Sequence, residues 1–334
     1  MGEQRRVLVT GGAGFIGSHL TEKLLARGDH VTVVDDESTG SAANLARVRH
    51  HPQLAYLRGS VADADLVRQL VAQVDQVYHL AAAVGVGLIA SHPIESIERN
   101  IYPVELILAA LHRREGPSRQ AVRLFLASTS EVYGKNPRPT WHEDDDLVLG
   151  PTTRLRWSYG AAKAIDEFLA LAYWRQHRLP VVIGRFFNVV GPRQTGTYGM
   201  VLPRMVSSAL AGEPLVVHDD GQQVRCFAHV ADVIRAVLAL MDEPRAVGRV
   251  FNIGSDQPVS ILALAQRVIA AVDPRLEIAF QSYAQAYDED FEDIRRRVPD
   301  LSRLRATIED RPHYDLDAII AELVAEGRSG CPGR

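Results

Sequence analysis

The sequence is poor in several features that define particular classes of protein. It has only 2 cysteines, Cys226 and Cys331, which lie far apart in the chain and form no disulfide framework. Lys and Arg number 37 against 41 Asp and Glu, so a net charge of −4 offers no basic surface to nucleic acid. The longest apolar run, about residues 80–90, is too short to span a bilayer, and the N-terminus has no signal-peptide pattern. These absences predict a soluble, cytoplasmic protein without a nucleic-acid or membrane partner.

What the sequence does contain begins with a glycine-rich turn between a strand and a helix. Val7–Thr10 is apolar, and Gly11-Gly12-Ala13-Gly14-Phe15-Ile16-Gly17 then opens a helix that we expect to reach about Arg27. Glycines at this spacing permit a tight turn and a close approach to a pyrophosphate, which the helix N-terminus attracts. A second strand ends at Asp35, where a carboxylate accepts ribose hydroxyls and repels a 2′-phosphate. The turn therefore predicts a dinucleotide site that prefers NAD to NADP.

Strand and helix patterns alternate along most of the chain. Further strands are expected at residues 54–57, 75–80, 122–127, 181–184 and 249–253, and helices at 64–73, 93–114, 159–178, 203–211, 230–241 and 261–271. This alternation predicts an α/β fold built on a Rossmann-type doubly wound parallel sheet. We expect an NAD-binding domain at 1–185 with some later segments returning to it, a smaller interleaved C-terminal substrate-binding domain at 186–327, and a disordered tail at 328–334. A hairpin is expected around Asp219-Asp220-Gly221.

The residues with chemical potential follow the strand at 122–127. Ser128-Thr129-Ser130-Glu131-Val132-Tyr133-Gly134 places hydroxyls and a carboxylate at the carboxyl end of a parallel strand, where α/β sheets bind ligands. Tyr159 and Lys163 have the i, i+4 spacing that puts both on one face of a helix. These groups in one cleft suit the transfer of protons and a hydride. None of the 12 histidines has a metal-ligand spacing such as His-Glu-x-x-His, so no metal site is predicted.

Together these motifs resemble the extended short-chain dehydrogenase/reductase family, and within it the nucleotide-sugar epimerases, dehydratases and decarboxylases. A further motif matches this family: it is Arg185-Phe186-Phe187-Asn188 followed by Gly191-Pro192. The resemblance implies that Tyr159 takes the proton of the sugar 4-hydroxyl while C4 gives a hydride to NAD. It also implies that Lys163 holds the nicotinamide ribose and lowers the pKa of Tyr159, and that Thr129 orients the 4-hydroxyl.

Position 131 distinguishes the subfamilies. The 4-epimerases have no acid there, and the 4,6-dehydratases have Thr-Asp-Glu, in which Asp expels the 6-hydroxyl. Thr129-Ser130-Glu131 resembles the UDP-glucuronic acid decarboxylases. In that reading Ser130 offers a hydrogen bond to the substrate carboxylate, and Glu131 positions the sugar and manages the proton at C5. The implied reaction takes UDP-glucuronic acid through a C4-keto intermediate to UDP-xylose, UDP-4-keto-xylose, or both. A UDP-hexose or UDP-uronate 4-epimerase and a nucleotide-sugar 4,6-dehydratase are the alternatives. The structural alternative for Glu131 itself is that it only caps the next turn.

The binding residues are implied by the same resemblance. Asp63 is expected to accept the adenine amino group, to cap the next helix, or both. Arg297, in Arg297-Val298-Pro299-Asp300, would engage the substrate, although a run of three arginines is also typical of a solvated surface. The helices at 93–114 and 159–178 would pair across a two-fold axis in a four-helix homodimer interface, or be buried in the core. The remaining cofactor residues are Gly11, Gly14, Phe15, Ile16, Gly17, Asp35, Asp36, Ser38, Gly40, Val61, Leu80, Ala81, Ala82 and Asn100, and the remaining UDP-sugar residues are Asn188, Val201 and Arg225.

Overall fold

The computed structural model describes residues 4–83, 92–114, 122–196, 200–283, 292–309 and 311–330. The strands are β1 Arg6–Thr10, β2 His30–Asp35, β3 Leu54–Arg58, β4 Gln76–His79, β5 Arg123–Thr129, β6 Val181–Phe186, β7 Val189–Val190, β8 Leu215–His218, β9 Val224–Cys226, β10 Ala228–His229, β11 Arg249–Ile253, β12 Pro258–Ser260, β13 Ile278–Gln281 and β14 Arg296–Arg297. The α-helices are α1 Phe15–Ala26, α2 Ala64–Val71, α3 Pro93–His112, α4 Ser158–His177, α5 Val201–Leu210, α6 Val230–Asp242, α7 Ile261–Val272, α8 Ser302–Thr307 and α9 Leu316–Arg328. None of the described helices is both long enough and apolar enough to cross a membrane.

Seven strands form one parallel sheet in the order β3-β2-β1-β4-β5-β6-β11. This is the Rossmann strand order with one further strand added beside β6. Successive strands from β1 to β3 are added on one side of β1, and those from β4 onward are added on the other side. Ligands of such sheets bind outside the carboxyl ends of the strands at the point where this order reverses, between β1 and β4. The predicted α/β doubly wound fold is therefore confirmed.

Helices cover both faces of the sheet. Leu20 and Leu24 of α1 pack with Val237 of α6 in the core on one face, and Ile107 and Leu108 of α3 belong to the core on the other. Because both faces are covered, the central strands are buried on both sides, and this includes some of their polar residues. Strand β4, for example, is buried at all of its residues.

The C-terminal part of the chain is divided between the sheet and a separate core. Strand β11 and helix α6 join the sheet, although both follow residue 229. Helices α5, α7 and α9 instead pack around a third apolar core that includes Leu202, Leu264 and Ile320. The last helix ends at Arg328, and residues 331–334 of the expected tail lie outside the described residues.

The predicted hairpin around Asp219-Asp220-Gly221 is wrong. The chain does turn there, and Asp219 and Gly221 have φ values of +54° and +66°. However, β8 before the turn pairs in parallel with β13, while β9 after it pairs with β12 and β14. The turn residues determine where the chain reverses, but the partner of each strand depends on segments more distant in the sequence.

Candidate active site

The glycine-rich turn lies at the switch point of the sheet. Gly11 has a φ of +71°, and a Cβ there would be 2.7 Å from the backbone nitrogen of Ala81. Only glycine therefore allows the turn to pack against the segment that follows β4, where Leu80, Ala81 and Ala82 were predicted to line the cofactor. Two separate cofactor predictions are thus brought together at one place.

The first turn of α1 suits a pyrophosphate. Its N-cap, Gly14, makes no side-chain capping hydrogen bond, and Phe15, Ile16 and Gly17 form the helix start. Free N–H groups at a helix N-terminus bind phosphate oxygens. On these observations the residues present fit a dinucleotide such as NAD.

The acid at the end of β2 is tied to the same turn. Asp35 Oδ2 accepts a hydrogen bond from the Ala13 N–H at 2.9 Å, and Oδ1 accepts one from the Glu37 N–H at 2.8 Å. Burial raises the pKa of Asp35 against these hydrogen bonds. Asp36 accepts a hydrogen bond from the Ser38 N–H. Three consecutive acids at this strand end disfavour a 2′-phosphate, as expected for NAD.

Other predicted cofactor residues have visible structural roles. Asn100, 1% exposed, accepts from the Ala83 N–H and donates to the Ala83 carbonyl, which holds the segment after β4. Asp63 accepts from the Asp65 and Leu66 N–H groups and so caps α2, while its predicted contact with adenine stays a prediction. Gly40 lies against the backbone of Ala13, and Val61 is half-buried beside the core that contains α3.

Arg193 is a residue that sequence reasoning did not assign to this region. Its guanidinium donates to the Ser18 hydroxyl at 2.9 Å, to the Asn44 carbonyl at 3.0 Å and to the Glu22 carboxylate at 2.8 Å. It therefore links the loop after β7 to helix α1. The Gly191-Pro192 motif before it marks this loop, but nothing in the local sequence indicates which residues the Arg193 side chain contacts.

The catalytic candidates meet where β5 ends. The strand continues to Thr129, two residues beyond its predicted end, and the Thr129 hydroxyl accepts from the Glu131 N–H at 3.2 Å. Tyr159, in the first turn of α4, is hydrogen-bonded to Thr129. A Cβ at Gly160 would be 2.6 Å from the Glu131 carbonyl oxygen, so glycine lets α4 approach this turn closely. That approach brings Tyr159 to Thr129.

The pKa of Tyr159 is raised, which differs from the predicted effect of Lys163. Burial is the largest cause, and the negative charges of Glu131 and Asp166 add to it, while the hydrogen bond with Thr129 opposes it. The Lys163 ammonium donates to the Asp166 carboxylate at 2.7 Å, so its charge is balanced locally. Lys163 is 1% exposed, on the same helix as Tyr159 as predicted.

Glu131 lies between two arginines. Its Oε2 is 2.6 Å from Arg156 Nη1, and its Oε1 is 2.6 Å from Arg297 Nη2. Burial by itself would raise the pKa of Glu131, but the charges of Arg297 and Arg156 outweigh burial and lower the pKa to about 2. Ser130 beside it is 1% exposed. Arg156 precedes Tyr159 by three residues, but the sequence did not show that it pairs with Glu131.

Strand pairing delivers Arg297 to this site. Strand β14 runs parallel to β9, with Arg297 opposite Arg225, and the backbones of Trp141 and Val298 are hydrogen-bonded. Arg295 and Arg296 are exposed, so two members of the arginine run are solvated and the third is not. Arg225 pairs with Asp293 at 3.0 Å, and burial followed by the charge of Arg297 lowers the pKa of Arg225 to about 10.

The remaining predicted substrate residues lie beside β9 and at the start of α5. Asn188, with a φ of +27°, donates to the carbonyl of Cys226, the last residue of β9. Val201 is the first residue of α5. Within the described ranges, no group of three His, Cys, Asp or Glu side chains is arranged to hold a metal ion.

With the strand order, this arrangement is that of a dinucleotide-dependent enzyme on a Rossmann sheet. The chain matches the model of the NAD dependent epimerase/dehydratase family over residues 7–254 and belongs to that family. The match confirms the family predicted from the sequence and, with it, the NAD cofactor.

Relatives with assigned activities cover almost the whole chain. It is 38% identical to the UDP-N-acetyl-alpha-D-glucosaminuronate decarboxylase of Bacillus cytotoxicus over 96% of this chain and 97% of that protein. It is 33% identical to UDP-glucuronic acid decarboxylase 1 of Arabidopsis thaliana, over 97% of this chain and 70% of that protein. Among solved structures, it resembles a mutant UDP-glucuronic acid 4-epimerase of Bacillus cereus in complex with NAD and a fluorinated substrate analogue. The TM-score is 0.84 at 26% identity, covering 97% of this chain and 99% of that one.

Proposed function

We propose that the protein catalyses the NAD-dependent decarboxylation of a UDP-uronic acid, with UDP-glucuronic acid as the first substrate to consider. The product would be UDP-xylose, UDP-4-keto-xylose, or both. The observation that carries the proposal is the Arg156–Glu131–Arg297 group beside Thr129 and Tyr159. Two guanidiniums near Tyr159 suit a substrate whose carboxylate is attached to C5, because C5 is the neighbour of the C4 carbon that would be oxidised.

We assign a residue to each step of this reaction. Tyr159 would accept the 4-hydroxyl proton, Thr129 would orient that hydroxyl, and Lys163 would hold the nicotinamide ribose. Bound NAD supplies the acceptor for the C4 hydride. The C4 ketone then makes the sugar a β-keto acid, and the electrons of the C5–C6 bond pass to the ketone as carbon dioxide leaves. Glu131 would position the sugar and manage the proton at C5, so no metal is required.

The charge around Glu131 favours an anionic substrate. Arg156, Arg225 and Arg297 face two acids, Glu131 and Asp293, so the cluster keeps an excess of positive charge. A dehydratase needs an acid to expel a hydroxide group, whereas position 130 holds a buried serine. Ser130 offers a hydrogen bond without the negative charge that would repel a uronate carboxylate.

The names of the relatives support decarboxylation and leave two uronates to compare. One relative is named for an N-acetylglucosamine-derived uronate and the other for UDP-glucuronic acid. The test is an NMR time course of purified protein, without added NAD, on both UDP-uronates and on UDP-glucose, which lacks the carboxylate. Formation of a UDP-pentose or its 2-acetamido counterpart supports the proposal and identifies the sugar. Inversion at C4 with the carboxylate retained would make the protein a 4-epimerase.

We also propose that the protein works as a cytoplasmic homodimer. Helices α3 and α4 expose apolar side chains at helical spacing, including Ile94 and Tyr102 on α3 and Ile165 and Phe168 on α4. Phe168 is 70% exposed, and a second copy related by a two-fold axis would cover both helices. A reducing compartment suits the buried free thiol of Cys226.

A further inference from the structure

Asp166 forms a buried ion pair with Lys163 that the proposed reaction does not use. It follows Lys163 by three residues on α4, and its Oδ2 is 2.7 Å from the Lys163 Nζ. The two side chains are 0% and 2% exposed. The other carboxylate oxygen, Oδ1, is buried without a hydrogen-bond partner in the described part of the chain. A buried carboxylate with one free oxygen is costly, so its presence beside a catalytic lysine needs a reason.

The groups around this pair are few and have separate partners. Glu167 lies next to Asp166, but it is bound to the Arg185 guanidinium at 2.7 Å and to the Ser128 hydroxyl. His79 faces Lys163, and burial followed by the Lys163 charge lowers the pKa of His79 to about 3, which keeps its ring neutral. Asp166 is therefore the carboxylate that balances Lys163.

Asp166 also acts on Tyr159. Burial is the largest cause of the raised pKa of Tyr159, and Glu131 and then Asp166 follow as the charges that raise it further. An ammonium has three protons to donate. If Asp166 takes one, two are left for the ribose hydroxyls of a dinucleotide, and the direction of the lysine is fixed.

We propose that Asp166 is a positioning residue, which holds Lys163 by one ammonium proton and balances its charge beside Tyr159. The inference rests on the proposed roles of Tyr159 and Lys163. It assigns to the site a carboxylate that adds to the raised pKa of Tyr159 and limits how far Lys163 can move.

The test is a titration of Tyr159 that needs no substrate. The protein has 10 tyrosines. Labelling them with ¹³C at Cζ and subtracting the spectrum of Tyr159→Phe isolates the signal of Tyr159. With NAD at saturation, Asp166→Asn should lower the pKa of Tyr159 by about one unit, because it removes a nearby negative charge. Asp166→Glu should keep the wild-type value. The control is Asp65→Asn, which removes the exposed partner of Arg68 at the same i, i+3 spacing.

An unchanged or raised Tyr159 pKa in folded Asp166→Asn would overturn the inference. If that variant does not fold, the same titration of Asp166→Ser decides by the same criterion. Affinity for NAD gives a second readout, and we expect Asp166→Asn to bind NAD several-fold more weakly because Lys163 loses its anchor. If Tyr159 titrates as expected in wild type and in Asp166→Asn, but wild type decarboxylates no UDP-uronate, the proposed function is refuted and the role of Asp166 stands.

Discussion

Glu131 and Arg297 are far apart in the sequence, yet the carboxylate of one is 2.6 Å from the guanidinium of the other. The contact depends on strand β14, which places Arg297 opposite Arg225 at the edge of the cleft. Together with Arg156, it holds the pKa of Glu131 at about 2 against the opposing effect of burial. Glu131 is therefore an anion at neutral pH and a weak base until a substrate carboxylate shares its arginines. In the proposed reaction, binding of a uronate carboxylate would therefore be coupled to an increase in the basicity of Glu131.

Glu131→Gln should separate decarboxylation from binding. The substitution keeps the shape of the side chain but removes the charge between Arg156 and Arg297, so we expect release of carbon dioxide to fall by about 100-fold or more. Affinity for UDP should change much less. The measurement is the rate of carbon dioxide release alongside calorimetric binding of UDP, with Glu292→Gln as the control, because Glu292 bonds Lys135 and Trp157 instead. Undiminished carbon dioxide release by Glu131→Gln would show that Glu131 has no part in decarboxylation.

The same residue predicts how stability depends on pH. The pKa of Glu131 is depressed in the folded protein, so its ionised form stabilises the fold above its unfolded pKa of about 4.3, and this stabilisation is lost as pH falls toward 2. The free energy of unfolding of wild type should exceed that of Glu131→Gln by up to about 3 kcal/mol at neutral pH. Urea unfolding from pH 3 to pH 7 measures the difference. A gap that does not shrink on acidification would show that the charge is not its source.

Gly160 makes a separate prediction about the catalytic turn. A Cβ at this position would be 2.6 Å from the Glu131 carbonyl, so Gly160→Ala should push α4 away from Thr129. We expect turnover to fall at least about tenfold and unfolding free energy to fall by about 1–3 kcal/mol. Gly196→Ala is the matched control, because the nearest atom to its added Cβ would be 3.5 Å away. Steady-state rates and thermal melts of both variants provide the comparison; equal behaviour would mean that the approach of α4 is not limiting.

The proposed dimer predicts a specific effect of charge on α4. Phe168→Glu would place a carboxylate in an apolar two-fold interface, so the variant should elute as a monomer in light-scattering chromatography at concentrations where wild type is a dimer. Phe280→Glu is the control, since Phe280 is 59% exposed but lies on β13, which pairs with β8 and belongs to neither helix. A monomeric wild type, or equal dissociation of both variants, would argue against this interface.

Local patterns were enough to predict where several of the candidate residues lie in the fold. The Gly11–Gly17 turn, Asp35 and the Tyr159/Lys163 spacing each lie within one strand–turn–helix unit or one helical face, where sequence order and space agree. The parallel, doubly wound sheet was predicted from the alternation of strands and helices, whereas its strand order comes from the structure.

Contacts between segments that are distant in the sequence were harder to predict. Arg156 and Arg297 reach Glu131 through the packing of α4 and the pairing of β14, and no spacing in the sequence encodes either one. The wrong hairpin at Asp219-Asp220-Gly221 has the same origin, because strand partners lie far along the chain. Asp166 could have been found from its i, i+3 position after Lys163, but its burial depends on tertiary packing.

The most direct test follows the carboxyl carbon itself. UDP-glucuronic acid labelled with ¹³C at C6 is incubated with purified protein, without added NAD, and the label is observed by NMR beside the same reaction of Tyr159→Phe. We predict that the label leaves the sugar as carbon dioxide and bicarbonate with wild type, and that it stays in place with Tyr159→Phe, which lacks the base. Label that remains on a sugar with inverted C4 in the wild-type reaction would contradict the decarboxylase assignment and make Glu131 a structural residue.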